Sequence, residues 1–345
     1  MDILVLGGTQ FVGRAVVDEA LRRGWRVTVF HRGAHPAPTG AAVLIGNRGG
    51  DGGGDRGDDG DGDLRALAHG RWDAVVDTWA GPPAAVAATA RQLYGRVGTY
   101  AYVSSRSVYV QPAPPGADET APVVAGWTGE SLGDAGADYA AVKRGGELAA
   151  LEVYGDDAAL LIRAGLILGP WENVGRLPWW LNRIAAGGDV LAPGPRELAV
   201  QYVDVRDLAR WTADALVARL GGPYNLVSAP GQTTMGGLLE ACARFTGSNA
   251  RLRWAGPEVI EAAGIEPWTQ LPVWLPPGPT YDSLHHGDVR KALGTGLRCR
   301  PVAETVRYTW RWLRGLDGVV PPPADRPAVG LDPEVEARVL ARLTQ

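Results

Sequence analysis

Three polar side chains and one glycine turn stand out by type and spacing. Tyr139 and Lys143 lie four residues apart in Asp138-Tyr139-Ala140-Ala141-Val142-Lys143, which on a helix puts both on one face. A Lys ammonium beside a phenol stabilises the phenolate and draws its pKa from ~10 toward working pH. Such a phenol can exchange a proton with a carbonyl or alcohol oxygen. Ser105, in the hydroxyl-rich run Ser104-Ser105-Arg106-Ser107-Val108-Tyr109, can hold the same oxygen by hydrogen bond. Ser105, Tyr139 and Lys143 are therefore the candidate catalytic residues. Near the start, Gly7-Gly8-Thr9-Gln10-Phe11-Val12-Gly13 reads as a tight turn opening a helix, whose free N–H groups suit a pyrophosphate.

The surrounding pattern supplies elements to position these groups. Asp2–Leu6 reads as a buried strand, Phe11–Arg23 as a helix with Val12, Val16, Ala20 and Leu21 on one face, and Arg26–Phe30 as the next strand. Strand, glycine turn, helix and strand make the first half of a nucleotide-binding unit. Asp73–Asp77 and Thr99–Val103 are further strands, separated by a helix over Pro83–Tyr94. They deliver Thr78, Trp79 and Ala80, then Ser104 and Ser105, to the carboxyl edge of a parallel sheet, where such folds bind ligands. The expected fold is α/β: a Rossmann-type doubly wound parallel sheet with a smaller C-terminal substrate-binding subdomain. The expected boundaries are 1–169 for the sheet domain, with 198–228 returning to it, 170–197 and 229–313 for the substrate-binding part, and a tail over 314–345.

Gly7, Thr9, Gln10, Phe11 and Val12 are the expected cofactor contacts in the turn. After the second strand an NAD-binding fold usually offers an acid to the ribose; this chain has His31 and Arg32 instead. A guanidinium there pairs with a 2′-phosphate, so NADP(H) is favoured over NAD(H). Asn47 and Arg48 are placed to reach the adenine end.

Composition narrows the function classes. The chain has 345 residues, a net charge of −4 and only two cysteines, Cys242 and Cys299. No basic footprint argues for nucleic acid, and two distant cysteines make neither a disulfide scaffold nor a metal site. With a strand from residue 2 and no apolar run near the ~20 residues of a membrane span, a cytoplasmic protein without membrane association is expected. The Gly- and Asp-rich stretch 46–63 builds no core and reads as a flexible loop; Asp59, Asp61 and Asp63 open like a calcium loop, but Leu64 and Gly70 break the pattern.

Residues 112–138 read as a loop. Beyond Pro170 the chain is rich in tryptophan, with Trp171, Trp179, Trp180, Trp268 and Trp274 in Pro-flanked segments. Large apolar pockets use such side chains, so a bulky or aromatic substrate is one reading and an ordinary core the other. The substrate-binding candidates are Arg106, Ser107, Trp171, Arg176, Trp180, Gln201 and Trp268. Residues 201–205 are expected to return to the sheet as a strand, with Asp207 capping the helix that follows. Thr233 or Thr234 begins a helix through Phe245, 254–281 reads as loop, and helices are expected over Val302–Leu313 and Asp332–Leu343. His285 and His286 lack a partner at metal-ligand spacing.

Together these segments resemble the extended short-chain dehydrogenase/reductase superfamily, in the branch of NAD-dependent epimerases and dehydratases. The matching pieces are the Gly7–Gly13 turn, Val103-Ser104-Ser105-x-x-Val108-Tyr109, Tyr139-x-x-x-Lys143, Arg163-Ala164-Gly165-Leu166-Ile167-Leu168-Gly169-Pro170 and Val203-Asp204-Val205-Arg206-Asp207-Leu208-Ala209. The resemblance implies a Ser105–Tyr139–Lys143 triad, a second role for Lys143 on the nicotinamide ribose, and cofactor contacts from Ala164 and from Leu166 to Leu168. Gln10 in place of a middle glycine resembles an atypical subgroup that includes plastid RNA-binding relatives. The family's dehydratases carry an acidic pair around Arg106-Ser107, and many nucleotide-sugar enzymes an Asn in the segment of Leu166; both are missing here.

The leading expectation is thus an NADP(H)-dependent oxidoreductase acting on a carbonyl or alcohol of a small, bulky or aromatic metabolite, with Tyr139 as acid/base. One alternative is an NAD(P)-dependent epimerase or dehydratase of a sugar or nucleotide sugar. The other is a non-catalytic nucleotide- or RNA-binding relative. The family resemblance also allows a homodimer, and no metal is expected.

Overall fold

A computed structural model describes residues 1–49, 63–128, 138–316, 318, 320 and 329–343. Most of the Gly/Asp-rich stretch, the end of the 112–138 loop and part of the tail lie outside these residues.

Strands β1 (Asp2–Leu6), β2 (Arg26–His31), β3 (Ala42–Ile45), β4 (Trp72–Asp77), β5 (Val97–Ser105) and β6 (Ala159–Ala164) form a parallel sheet. A later strand, Gly222–Leu226, adds to its β6 edge, giving seven strands with β1 near the middle. Helix α1 (Phe11–Arg22) covers one face; α2 (Pro83–Leu93) and α3 (Tyr139–Ala158) cover the other. Period-two alternation divides each strand between two cores. Ile3, Val5, Ala74, Val76, Leu160 and Ile162 face α1, whereas Leu4, Leu6, Val75, Tyr100, Tyr102 and Leu161 face α2 and α3. These strands are buried on both sides, as parallel sheets are, and each fully buried aliphatic side chain contributes about 1.5–3 kcal/mol.

The later chain runs through β7 (Leu166–Leu168), α4 (Arg176–Ala185), β8 (Asp189–Pro193), β9 (Tyr202–Asp204) and α5 (Val205–Val217). The strand Gly222–Leu226 is β10; α6 (Met235–Thr246), β11 (Arg251–Ala255) and α7 (Pro257–Ala262) follow. The remaining helices are α8 (Pro279–His285), α9 (Arg290–Gly294), α10 (Val302–Arg314) and α11 (Pro333–Leu343). Leu177, Trp180, Met235, Leu239, Val306 and Val339 gather here into a third core.

Several expectations need correction. Residues 202–204 do not join the central sheet; β9 pairs with β7 in a separate ribbon. Asp204, not Asp207, caps α5, accepting from the Arg206 N–H at 2.8 Å. Asp207 lies in the first turn and is held by Arg300 at 2.7 Å. The stretch 254–281 is not all loop, because a proline at N1 starts α7 at Pro257. The last helix packs on the body: Glu336 is buried and accepts from Arg183 at 2.6 Å and from the Leu191 N–H at 3.0 Å.

Among the described residues no helix is long and apolar enough to cross a membrane.

Candidate functional site

The carboxyl ends of β1, β2, β4, β5 and β6 meet along one edge, and most candidate residues lie there. The glycine turn is fixed by contacts only glycine allows. Gly7 has φ +86°, and its N–H donates to the Phe30 carbonyl at 3.0 Å. A Cβ on Gly13 would sit 2.4 Å from the Gly7 carbonyl oxygen, so α1 lies against the end of β1 only because residue 13 has no side chain. Thr78 braces the turn, its hydroxyl donating to the Leu6 carbonyl at 2.9 Å. Thr9, Gln10 and Phe11 follow, Val12 is buried against the sheet, and the Gln10 amide reaches His35 at 2.9 Å.

At the end of β2, His31 accepts the Gly33 N–H at Nδ1, 3.1 Å away. The neutral ring then carries its proton on Nε2, an atom that is buried and has no hydrogen-bond partner among the described residues. Burial, with His35 nearby, holds this imidazole below its ordinary pKa. Arg32 is exposed on the following loop. A glycine cradle and an orphan donor at the second strand are features a dinucleotide fits: the turn for the pyrophosphate, His31 for an oxygen on the ribose.

Arg48 does not reach toward a ligand. Its guanidinium pairs with buried Asp77, at 2.8 Å through one N–O contact, donates to Thr89 and the Ala85 carbonyl at 3.0 Å each, and stacks over Trp79 with 5.0 Å to the ring centroid. Burial opposes ionisation of Asp77, but Arg48, with the Tyr100 hydroxyl and the Trp79 N–H, outweighs it and the carboxyl lies below its usual range. Asn47 is exposed and its side-chain oxygen accepts from the Gly49 N–H. Trp79 is pinned by its own indole N–H on the Pro82 carbonyl at 2.9 Å, and Ala80 beyond it is exposed.

The candidate acid/base pair, Tyr139 and Lys143, occupies the start of α3, capped by Asp138 on the Ala140 N–H. Lys143 is buried at 3% exposure, and its ammonium donates to the Trp79 and Val103 carbonyls, each at 2.7 Å. It also lies over the Tyr102 ring, 4.9 Å from the centroid. One turn earlier, Tyr139 is 46% exposed. The close approach of α3 requires small residues: a Cβ on Gly146 would be 2.3 Å from the Tyr102 hydroxyl. Ser105 ends β5; its Oγ accepts from the Ser107 N–H, and its hydroxyl donates to the Ser107 Oγ, each at 3.1 Å. Ser104 is turned inward, donating to buried Glu147 at 2.7 Å. Ala164 and Leu166 are buried at the end of β6 and in β7.

The substrate candidates separate. Arg106 is 5% exposed and donates to Gln201 Oε1, the Leu284 carbonyl and the Ser283 carbonyl at 2.9–3.1 Å. Gln201 is fully buried, with its amide nitrogen on the Ser228 and Gly287 carbonyls. Both tie the 283–287 segment to the end of β5, Arg106 through its two terminal nitrogens, while its buried Nε has no hydrogen-bond partner among the described residues. Trp180 is core, fully buried with its indole N–H on the Pro272 carbonyl at 2.7 Å. Trp171 and Trp268 remain partly exposed, in left-handed backbone at φ 64° and 68°, conformations that cost a non-glycine residue energy and gather at functional sites. Arg14 of α1 stacks on Trp171 at 5.8 Å, placing it beside the helix that follows the glycine turn, and Arg176 stacks on Trp268 at 5.2 Å.

Sequence reasoning missed two buried groups, Glu172 and Glu147, and named a third, His285, only as lacking a partner at metal-ligand spacing. Glu172 accepts from the Arg176 and Leu177 N–H groups at the start of α4, and burial pushes its carboxyl up to about 7. His285 accepts the Gln201 N–H at 3.0 Å, and burial, reinforced by Arg106, pushes it down to about 3. Glu147 sits one turn beyond Lys143, a spacing that could have flagged it. Among the described residues no group of three or more His, Cys, Asp or Glu is placed to hold a metal ion.

No protein-family model matches the sequence, and no curated protein matches it. Solved structures match in fold. The Bordetella bronchiseptica enzyme WbmH, solved with NAD+, has a TM-score of 0.64 at 16% identity, over 92% of this chain and 99% of that one. UDP-glucose 4-epimerase of Thermus thermophilus, in complex with NAD, gives 0.60 at 21% identity, over 91% and 99%. UDP-N-acetylglucosamine 4-epimerase of Bacillus cereus gives 0.63 at 15% identity, over 91% and 100%. The expected Rossmann-type doubly wound parallel sheet is therefore the fold of this chain, and these solved structures share it.

Proposed function

We propose that this chain is a nicotinamide-dependent enzyme in which Tyr139 exchanges a proton with an alcohol or carbonyl oxygen of the substrate, and that it works as an epimerase of a sugar or nucleotide sugar. The observation that carries the first part is the seat of Lys143. Its ammonium is gripped by carbonyls at the ends of β4 and β5, one helical turn from Tyr139 and at the strand end that presents Ser105. Fixed there, the cation favours the phenolate form of Tyr139, and the Ser105 hydroxyl can hold the oxygen that gains or loses the proton. The glycine turn would bind the pyrophosphate and His31 the adenosine ribose; when bound, the nicotinamide supplies the hydride acceptor and donor. The epimerase reading rests on the solved neighbours, among them UDP-glucose and UDP-N-acetylglucosamine 4-epimerases.

A net oxidoreductase using NADP(H) is the second reading. It is favoured by the missing acid after β2 and by two donors in its place, the His31 Nε2–H and Arg32. A donor suits a 2′-phosphate oxygen better than a carboxylate acceptor would.

The test is incubation with NAD+ or NADP+ and UDP-glucose or UDP-N-acetylglucosamine, with products resolved by NMR and absorbance followed at 340 nm. Sugar inversion without net absorbance change supports the epimerase; stoichiometric change with a carbonyl or alcohol substrate supports the oxidoreductase. Tyr139→Phe is expected to lower either turnover at least 100-fold; unchanged turnover would refute the acid/base assignment. Tighter binding of NADH than NADPH, unaltered by His31→Ala or Arg32→Ala, would sink the NADP preference.

A further inference from the structure

The carboxylate of Glu147 is fully buried and takes part in four hydrogen bonds. Oε1 accepts from the Ser104 hydroxyl at 2.7 Å and from Arg163 Nε at 2.9 Å; Oε2 accepts from Arg163 at 3.0 Å and from Arg144 at 2.8 Å. Three elements converge on this one group: α3 through Glu147 and Arg144, β5 through Ser104, and β6 through Arg163. Ser104 is the neighbour of Ser105, and Glu147 is one turn from Lys143 and two from Tyr139. The contacts continue outward. Arg163 donates to the Tyr109 hydroxyl at 3.1 Å and lies over its ring, and that hydroxyl donates to Asn225 Oδ1 at 2.7 Å. Asn225 donates to the Asp288 carbonyl at 3.0 Å, next to Gly287, against which the Arg106 guanidinium packs. One buried polar chain thus runs from the acid/base helix to the segment clasped by Arg106.

We propose that Glu147 is the positioning residue of the Tyr139–Lys143 pair: it locks α3 in register with the Ser105 strand, and its charge sets the proton affinity of Tyr139. This rests on the acid/base reading of Tyr139 given above. The charged and titratable groups around Glu147 are Lys143 and Arg144 on its own helix, Arg163 from β6, Tyr102 from β5, and Tyr109 beyond it. Three of these are cations with one carboxylate among them, so removing that carboxylate leaves excess positive charge behind Tyr139 and favours its phenolate. Eight helical residues separate Glu147 from Tyr139, about 12 Å of axial rise. At an effective dielectric constant near 20, one charge at that distance shifts a titration by about one pH unit.

The experiment is 13C NMR of protein labelled at tyrosine Cζ, with the Tyr139→Phe spectrum identifying the Tyr139 signal; it needs no substrate. Glu147→Gln is expected to lower the Tyr139 titration midpoint by about one pH unit. It also leaves buried Arg163 short of a partner, so Arg144→Gln supplies a second, milder change, since Arg144 is 18% exposed. Removing that cation is expected to move the midpoint upward. Opposite signs in the two variants support the proposal, because general loosening of α3 would not reverse with the sign of the charge removed. Midpoints that stay put, or move the same way, in folded variants overturn it. A wild-type Tyr139 titrating at the ordinary value of ~10 would instead count against the acid/base reading itself.

Discussion

Glu172 gives a prediction whose size follows from its surroundings. Its carboxyl is fully buried beside the start of α4, where two backbone N–H groups at 2.9 and 3.2 Å and the Arg176 charge favour ionisation. Desolvation exceeds them all and raises the group from 4.5 to about 7. Below pH 4.5 the carboxyl is protonated in folded and unfolded chains alike, and no penalty applies. Between pH 4.5 and 7 the unfolded chain has released the proton while the folded one retains it, so stability falls as pH rises. Above pH 7 both are ionised and the loss is complete. At 1.36 kcal/mol per unit, a shift of this size corresponds to about 3 kcal/mol. The perturbation is Glu172→Gln, which cannot ionise; a lost acceptor at one N–H would cost about 1 kcal/mol at every pH. Reversible urea unfolding, followed by tryptophan fluorescence from pH 4.5 to 8.5, gives the difference between variant and wild type, in which other titrating groups cancel. That difference is expected to move by about 3 kcal/mol in favour of the variant as pH rises. A flat difference would show that the N–H groups and Arg176 offset the burial, and would refute the reasoning.

His285 behaves in the opposite sense. Its folded value of about 3, against 6.5 unfolded, means that stability is present above pH 6.5 and is lost as pH falls toward 3, by about 5 kcal/mol in all. The difference between His285→Gln and wild type should therefore swing by this amount in urea titrations over that window, and a constant difference would contradict it. Gly13→Ala puts a Cβ 2.4 Å from the Gly7 carbonyl oxygen, so α1 must move off the end of β1. NADH and NADPH binding, read by fluorescence titration, is expected to weaken at least tenfold; unchanged affinity would show that the turn does not hold the cofactor.

Much of the candidate site was legible because its signals are local. The Tyr139–Lys143 spacing, the Gly7–Gly13 turn and the polar run after β5 depend on neighbours within a few residues, and the structure brings them to one sheet edge. The helix start at Thr233 or Thr234 was likewise readable, and the structure makes Thr234 the cap, its hydroxyl accepting from the Gly237 N–H at 3.0 Å. Asp204 and Asp207 were harder: both lie near the start of one helix, and only the position of Arg300, 93 residues on from Asp207, decides which acid caps and which is paired.

The sequence by itself determined the parallel sheet, since two-sided burial demands apolar runs of fixed period, and it determined which strand ends carry polar side chains. Tertiary structure alone decided what several of those side chains do. Arg48 turns inward because Asp77 is waiting beneath it, and Arg106 is committed to carbonyls 177 and 178 residues away. Trp180 fills a core that exists only once α4, α6 and α10 pack together. Glu147 acquires its place from Ser104 and Arg163, on two different strands. A buried charge or indole must find its partners wherever the fold puts them, and no local spacing reports partners so far along the chain.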